Sequence, residues 1–233
     1  MKIVAHRGAS GYAPENTKAS ILEGLKQKCD GFEVDVQLTK DNEVVIFHDW
    51  SLERTTNGNG FLKDQTLTEL KNLDIGSWFS KEFKGEKIMT LKELLEIVPI
   101  EKLLNIEIKV RHGEINQIEK KVIEILEKSS RLNNNIIISS FDHRVIKKIN
   151  EINPEIQVGL LITAGLLDLK NYVSNFNLYS IHCGAEFINK INVDDLKEID
   201  IKTYAWTVNT LEESKILASF GVEGIITNYP DIF

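Results

Sequence analysis

Short runs rich in β-branched residues alternate with segments of helical period along the whole chain. That alternation limits the fold to a parallel sheet covered by helices. Strand-like runs fall at Lys2–His6, Gly31–Gln37, Leu103–Lys109, Asn135–Ser139, Ile156–Leu160, Leu178–His182, Lys202–Trp206 and Gly224–Thr227. Helices are expected between them at Thr17–Gln27, Leu91–Val98, Glu114–Lys128, His143–Glu151, Leu167–Phe176, Val193–Ile199 and Leu211–Phe220. Thr90 with Glu93, and Thr210 with Glu213, carry the capping-box pattern, in which two side chains satisfy orphan N–H groups reciprocally. Asn16 and Asp142 stand where simple N-caps are wanted. An open doubly wound sheet shares the alternation. Eight strands at near-equal spacing favour an α/β fold of the closed (β/α)8 TIM-barrel type.

One element breaks the pattern. Glu43–His48 reads as a strand, yet only Thr39-Lys40-Asp41-Asn42 separates it from the second strand. No crossover helix fits in that space, so the pair is an antiparallel hairpin. A turn centred on Lys40 and Asp41 places His48 opposite Glu33 and Ile46 opposite Asp35. Residues 49–89 then form an insertion rich in Thr, Asn and Gly, with one short helix after Thr66, capped by Glu69. With no linker, repeat or low-complexity tract, residues 1–233 read as a single domain.

The net charge of −7 argues against a nucleic-acid partner, which needs an excess of Lys and Arg. No run approaches the roughly 20 apolar residues that span a bilayer, so no stable membrane insertion is expected. Cys29 and Cys183 lack C-x-x-C spacing and read as buried thiols in a reducing, cytoplasmic setting. Barrel proteins often pair, so a homodimer is compatible with the chain, but no segment identifies an interface.

Polar residues gather where strands end, which in a barrel is the active face. His6-Arg7-Gly8 closes the first strand. Glu33 and Asp35 share one face of the second strand, and Asn105, Glu107 and Lys109 share one face of the third, because side chains two apart point the same way. His48 ends the hairpin strand, and Trp206-Thr207-Val208-Asn209 ends the seventh barrel strand. Three inward carboxylates repel one another in a low-dielectric cavity unless a cation joins them. Oxygen ligands from Glu33, Asp35 and Glu107 suit a hard ion, Mg²⁺ or Ca²⁺. The chain has no H-x-H or H-E-x-x-H, which argues against zinc. Arg7 and Lys109 add fixed positive charge suited to a phosphodiester anion, and a helix start at Asn16 adds another anion-friendly feature. His6 and His48 can act as general acid and base at neutral pH.

Each item alone has a plainer explanation. A lone histidine is more often structural than catalytic, and His112, His143 and His182 are read that way. Glu33 and Asp35 alone would be a solvated strand face, Glu107 and Lys109 an ion pair, and Trp206 a core residue. Asn57-Gly58-Asn59-Gly60 lacks the later glycine of a dinucleotide fingerprint and reads as turns. The joint placement of these groups at several strand ends favours a site.

On these residues the chain resembles the glycerophosphodiester phosphodiesterases, of the bacterial cytoplasmic type. His6-Arg7-Gly8 through Pro14-Glu15-Asn16-Thr17, Glu33-x-Asp35 and Phe47-His48-Asp49 are similar to the family's opening blocks. Arg54-Thr55-Thr56-Asn57-Gly58 and Leu73-Asp74-Ile75-Gly76-Ser77-Trp78-Phe79 resemble its insertion. Asn105-Ile106-Glu107-Ile108-Lys109, Ser140-Phe141 and Trp206-Thr207-Val208-Asn209 follow in the family's order. The resemblance implies a (β/α)8 barrel, with His6 and His48 as the acid–base pair and Glu33, Asp35 and Glu107 as ligands for Mg²⁺ or Ca²⁺. It also implies Arg7 and Lys109 as phosphate-binding cations, with Phe141 and Trp206 shaping a glycerol pocket. The implied reaction splits a small-molecule glycerophosphodiester into sn-glycerol 3-phosphate and an alcohol.

The family usually carries an aspartate after the last strand, where this chain has Asn228. The loss of charge there is expected to bear on a turn or substrate contact and to leave the acid–base groups untouched. Three rival readings remain: a lysophospholipase D or phospholipase-like enzyme using Trp78-Phe79 as a lipid-facing lip, a barrel that only binds phosphoesters, and another metal hydrolase or isomerase on the same fold.

Overall fold

The computed structural model describes residues 1–111, 116–132 and 134–233. Nine strands run β1 Lys2–His6, β2 Gly31–Leu38, β3 Val44–Ile46, β4 Leu103–Ile108, β5 Ile136–Ser140, β6 Val158–Ile162, β7 Ser180–Gly184, β8 Lys202–Trp206 and β9 Gly224–Thr227. The helices are α1 Lys18–Lys26, α2 Leu67–Asn72, α3 Leu91–Ile97, α4 Ile118–Lys128, α5 His143–Ile152, α6 Leu169–Val173, α7 Lys190–Glu198 and α8 Leu211–Phe220. All strands but β3 pair in parallel, and β1 pairs with both β2 and β9, so the sheet closes into an eight-stranded barrel. This is the (β/α)8 fold that the alternation implies. His112, and the start of the helix expected from Glu114, lie outside the described residues.

The outer core lies between strands and helices. Phe32, Val34 and Val36 of β2 point outward, with Leu104, Ile106 and Ile108 of β4, and all are essentially fully buried among helix residues such as Ile21, Leu91, Leu94 and Val122. The other face of these strands, on the period of two, carries Glu33, Asp35, Asn105 and Glu107 into the barrel. One alternation thus places the apolar stripe against the helices and the charged stripe in the interior. Below the charged groups, Val4, Leu103, Ile137, Tyr204 and Ile226 fill the barrel.

β3 pairs antiparallel with β2 beyond the point where β1 stops. β1 meets β2 at Val4↔Gly31 through His6↔Glu33, and β3 takes the same edge at Val36↔Ile46 through Leu38↔Val44. The hairpin exists as expected, but its register differs by one. Ile46 faces Val36, and the Phe47 N–H bonds to Asp35 O at 3.0 Å. Thr39 N–H bonds to Glu43 O across three loop residues, with Asn42 in the left-handed region at φ 62. That extra αL residue is the three-residue hairpin loop, whereas the expected register assumed two. His48 lies past the end of β3 and is not a strand residue.

The caps hold in part. Thr90 and Glu93 form the reciprocal box, as do Thr66 and Glu69. Thr210 caps α8 through the Glu213 N–H, and Asp142 caps α5 through the Arg144 N–H. Asn16 is not a cap. Thr17 caps α1, with Ser20 completing the box, and Asn16 turns into the barrel mouth at φ 57. α7 begins at Lys190 because Asn189 caps it. α6 is shorter than expected, since the Ser174 hydroxyl and the Asn175 amide donate to Asn171 O and compete for a carbonyl a longer helix would use.

The insertion has its own small core of Val45, Phe47, Leu52, Leu62, Leu70, Ile75 and Ile88. Among the described residues no helix is long and apolar enough to cross a membrane.

Candidate active site

β1 ends at His6, and the chain turns sharply through Arg7 and Gly8, both left-handed at φ 54 and φ 82. Gly8 also lies so close to Ser20 that a Cβ would sit 2.3 Å from its Oγ, so only glycine fits. The turn aims the Arg7 N–H at Glu33 Oε2 (3.1 Å) and brings Arg7 Nε to 3.3 Å from Asp35 Oδ2. Arg7 Nη1 donates to Glu15 Oε1 at 2.8 Å.

Register stacks the site. His6, Glu33 and Asn105 are neighbours across β1, β2 and β4, and one pleat higher Asp35 stands beside Glu107. Glu33, Asp35 and Glu107 are 4 %, 1 % and 9 % exposed, and one carboxylate oxygen from each lies within 4.8 Å of the others. Burial pushes the Glu33 carboxyl well above its ordinary value, and the charges of Asp35 and Glu107 push it further. Glu107 is pushed up to about 7, by burial first and by Asp35 next. Burial acts on Asp35 too, but Arg7, Lys109, His48 and the Asn16 amide hold it down at about 2. The Asn16 Nδ2 donates to Asp35 Oδ2 at 2.9 Å, while Asp35 Oδ1 is buried with no hydrogen-bond partner among the described residues. Three crowded carboxylates, two kept from ionising freely and one with an oxygen that accepts no hydrogen bond among the described residues, are a donor set that suits a hard divalent cation.

Lys109 Nζ lies 3.1 Å from Glu107 Oε1 and 3.5 Å from Asp35 Oδ1. Burial would neutralise Lys109, but these two carboxylates raise its pKa and keep it charged. Arg7 is held cationic against burial by Asp35, Glu15 and Glu33.

His48 is placed by Gln37, the next inward residue after Asp35. The Gln37 Nε2 donates to the carbonyls of Phe47, His48 and Asp49 at 2.9, 3.1 and 2.8 Å, which fixes this otherwise irregular segment. His48 Nδ1 lies 2.6 Å from Asp49 Oδ1. Burial lowers the His48 pKa, against a raising contribution from Asp35. Burial and Arg7 push His6 down to about 4, partly opposed by its hydrogen bond to Asn228. His6 Nδ1 meets Asn228 Oδ1 at 2.7 Å, and His6 Nε2 faces Glu33 Oε2 at 3.9 Å.

Asn228 therefore touches His6, one of the two histidines expected to act as acid and base, whereas the sequence reading left those groups untouched by the change at 228. Ser10 Oγ also donates to Asn228 Oδ1, and Asn209 Oδ1 accepts the Asn228 N–H.

His6, Arg7, Glu33, His48, Asn105, Glu107, Phe141 and Trp206 line one cavity of about 170 Å³. Phe141 and Trp206 meet edge to face with centroids 5.6 Å apart. Trp206 Nε1 and both polar atoms of the Asn105 amide are buried without partners among the described residues. All nine residues expected from sequence converge here, Asp35 and Lys109 through their ion pairs with the cavity wall. His143 instead bonds to Leu161 O and the Tyr172 hydroxyl, and His182 is buried against Ser180. Sequence reasoning missed the supporting ring. Arg54 reaches from the insertion to Glu15 (2.7 Å) and Asp49 (2.6 Å), linking Arg7 to His48 through Glu15 and Asp49. The adjacency of Asp49 to His48, and the acidic Glu15 in the motif loop, were the available signals.

A (β/α)8 barrel with a buried carboxylate triad, two cations and two histidines at the C-terminal strand ends defines a phosphodiester-hydrolysing class of enzyme. The profile of the glycerophosphoryl diester phosphodiesterase family matches residues 6–232. A glycerophosphodiester phosphodiesterase of Caldanaerobacter subterraneus subsp. tengcongensis is 39 % identical over 230 residues, covering 98 % of this chain and 94 % of that protein. One from Bacillus subtilis is 34 % identical, covering 99 % and 84 %. The crystal structure of an Oleispira antarctica phosphodiesterase in complex with the product sn-glycerol-3-phosphate superposes with a TM-score of 0.94 at 32 % identity, covering 100 % and 94 %. The chain belongs to the glycerophosphoryl diester phosphodiesterase family and is a phosphoric diester hydrolase.

Proposed function

We propose that this enzyme cleaves small glycerophosphodiesters to sn-glycerol 3-phosphate and an alcohol, with the site roles as follows. Glu33, Asp35 and Glu107 hold a divalent cation, Mg²⁺ or Ca²⁺, which is the family's general requirement. Bound by these three carboxylates, such an ion would supply Lewis-acid stabilisation for the negative charge of the phosphoryl group. Arg7 and Lys109 stand beside the triad to bind the remaining phosphate oxygens. Phe141 and Trp206 receive the glycerol carbons, and the unpartnered Trp206 Nε1 and Asn105 amide meet its hydroxyls.

His6 is neutral at pH 7, and its Nδ1–H is committed to Asn228. Its Nε2 lone pair therefore faces the triad, ready to take the proton of the attacking oxygen, either water, which gives sn-glycerol 3-phosphate directly, or the neighbouring glycerol hydroxyl, which gives a cyclic phosphate that water then opens. His48 is backed by the Asp49 carboxylate, which favours the imidazolium, so it is the better group to carry a proton to the departing alkoxide. The chain 1–233 acts as one domain, with the insertion supplying Arg54 to the mouth. Cys29 and Cys183 are both free and buried, and burial pushes their thiols up to about 12 and about 11, which keeps them protonated and unreactive.

The observation that carries this reading is the buried triad with a cation on each side and a histidine at each end. Trp78 does not favour the lipid-acting alternative: its Nε1 donates to Ile75 O, and Arg54 lies over its ring. The test is product identity. Glycerophosphoethanolamine should yield ethanolamine and sn-glycerol 3-phosphate; phosphoethanolamine with free glycerol would contradict the assignment of the two arms.

A further inference from the structure

The active cleft continues past His48. A second cleft of about 300 Å³ opens there, with Trp50, Ser51, Phe61 and Arg111 on its outer wall and His48, Asp49 and Lys109 at its inner end. It shares His48 with the cavity that holds Phe141 and Trp206. A phosphodiester has two arms on one phosphorus, and entering and leaving oxygens lie roughly in line on opposite sides of it. With the glycerol arm against Phe141 and Trp206, the space that adjoins the other side is the cleft beyond His48.

The chemistry of that cleft is distinctive. One of the protein's own cations lies over each of its two rings: Lys109 Nζ is 5.7 Å from the Trp50 ring centroid, and Arg111 Cζ is 5.5 Å from that of Phe61. A quaternary ammonium binds best on open aromatic faces. Here it would meet a like charge beside each ring. Among the described residues the carboxylate on this wall is Asp49, and it is committed to His48 and Arg54 at 2.6 Å each. What the wall offers an incoming group is the Arg111 guanidinium, which lies over Phe61, since the Ser51 hydroxyl is already bonded to the Glu53 carboxylate. A planar guanidinium is suited to a carboxylate or phosphate.

We propose that this second cleft receives the departing alcohol and selects alcohols carrying an oxyanion over cationic ones, with Arg111 setting the preference. The inference rests on the hydrolytic reading above and adds a substrate class to it.

The test compares kcat/KM for glycerophosphocholine, glycerophosphoglycerol, glycerophosphoserine and glycerophosphoglycerol with a terminal phosphate. The phosphate-bearing diester should exceed glycerophosphocholine by about tenfold or more, as expected for one charge-assisted hydrogen bond. Glycerophosphoserine, compared with it, tells whether a carboxylate suffices or a phosphate is needed. The preference should shrink as ionic strength rises. Arg111→Gln should bring the ratio towards one, and Arg111→Lys should restore part of it. Equal or better use of the choline diester by the native enzyme, or an unchanged ratio in Arg111→Gln, overturns the proposal. Should that variant fail to fold, the native ratio and its salt dependence decide. Cleavage of all four diesters without this ranking sinks the selectivity alone, whereas cleavage of none sinks the hydrolytic reading with it.

Discussion

The His6 Nδ1–H donates to Asn228 Oδ1 across 2.7 Å, joining the end of the first barrel strand to the residue that follows the last. An amide oxygen fixes the ring's tautomer as a carboxylate would, but without a charge to stabilise the imidazolium. His6 accordingly titrates low, at about 4, chiefly through burial. Asn228→Asp should raise the His6 pKa, because a facing carboxylate favours the charged ring. A base must be deprotonated to act, so the acid limb of the kcat/KM profile should move to higher pH. Asn228→Ala should instead cost roughly 10–100-fold, as lost outer-shell orientation does. A pH profile measured for both variants checks this, and an unmoved acid limb in Asn228→Asp refutes the link.

On the proposed roles, loss of either histidine removes a proton-transfer group together with one hydrogen bond, to Asn228 or to Asp49. His6→Ala and His48→Ala should each lower kcat by roughly 10²–10⁴ with thermal stability near that of the native protein. Near-native turnover in either variant removes that residue from the acid–base role.

Gln37 links fold to chemistry, since one amide group serves three consecutive carbonyls around His48. Gln37→Leu fills the same space but leaves those acceptors without their donor, at about 1–3 kcal/mol for each that stays buried. Both Tm and kcat should fall, and KM for a diester should change less than kcat because the phosphate cations are untouched. A loss confined to KM would contradict the positioning role.

Without metal, the crowded triad makes stability depend on pH. Glu33 and Glu107 have folded pKa values above their unfolded ones, so between about 4.5 and about 7, the range spanned by Glu107, the folded state binds more protons. Metal-free protein should therefore lose stability as pH rises through that window. Asp35, held at about 2, adds the opposite trend only below its ordinary 3.8. Tm measured against pH with and without added Ca²⁺ should show the decline only in the metal-free sample; parallel curves would refute the triad as the ligand set.

How far the sequence reveals all this depends on the range of the interaction. The alternation of strands and helices follows from local periodicity, the count of eight near-equally spaced strands favoured closure into a barrel, and the inward carboxylates follow from the two-residue alternation of Glu33 with Asp35 and of Asn105 with Glu107. The hairpin register depended on whether Asn42 takes a left-handed conformation, a choice between turns of nearly equal energy that pattern alone leaves open. Asn16 looked like a cap because it precedes a helix, and its contact with Asp35 is 19 residues distant. The pairing of His6 with Asn228 spans 222 residues and exists only because the barrel closes. The Arg54 link between Glu15 and Asp49 likewise requires the insertion to fold back over the mouth.

The most direct test of the account is release of sn-glycerol 3-phosphate from a soluble glycerophosphodiester by EDTA-stripped protein, before and after Mg²⁺ or Ca²⁺ is added back. The account expects negligible release without metal, recovery with at least one of the two ions, and a weakened metal requirement curve in Glu107→Gln, which lacks one anionic ligand. Full activity in the stripped enzyme, or an unchanged metal titration in Glu107→Gln, would contradict the carboxylate triad as the centre of catalysis.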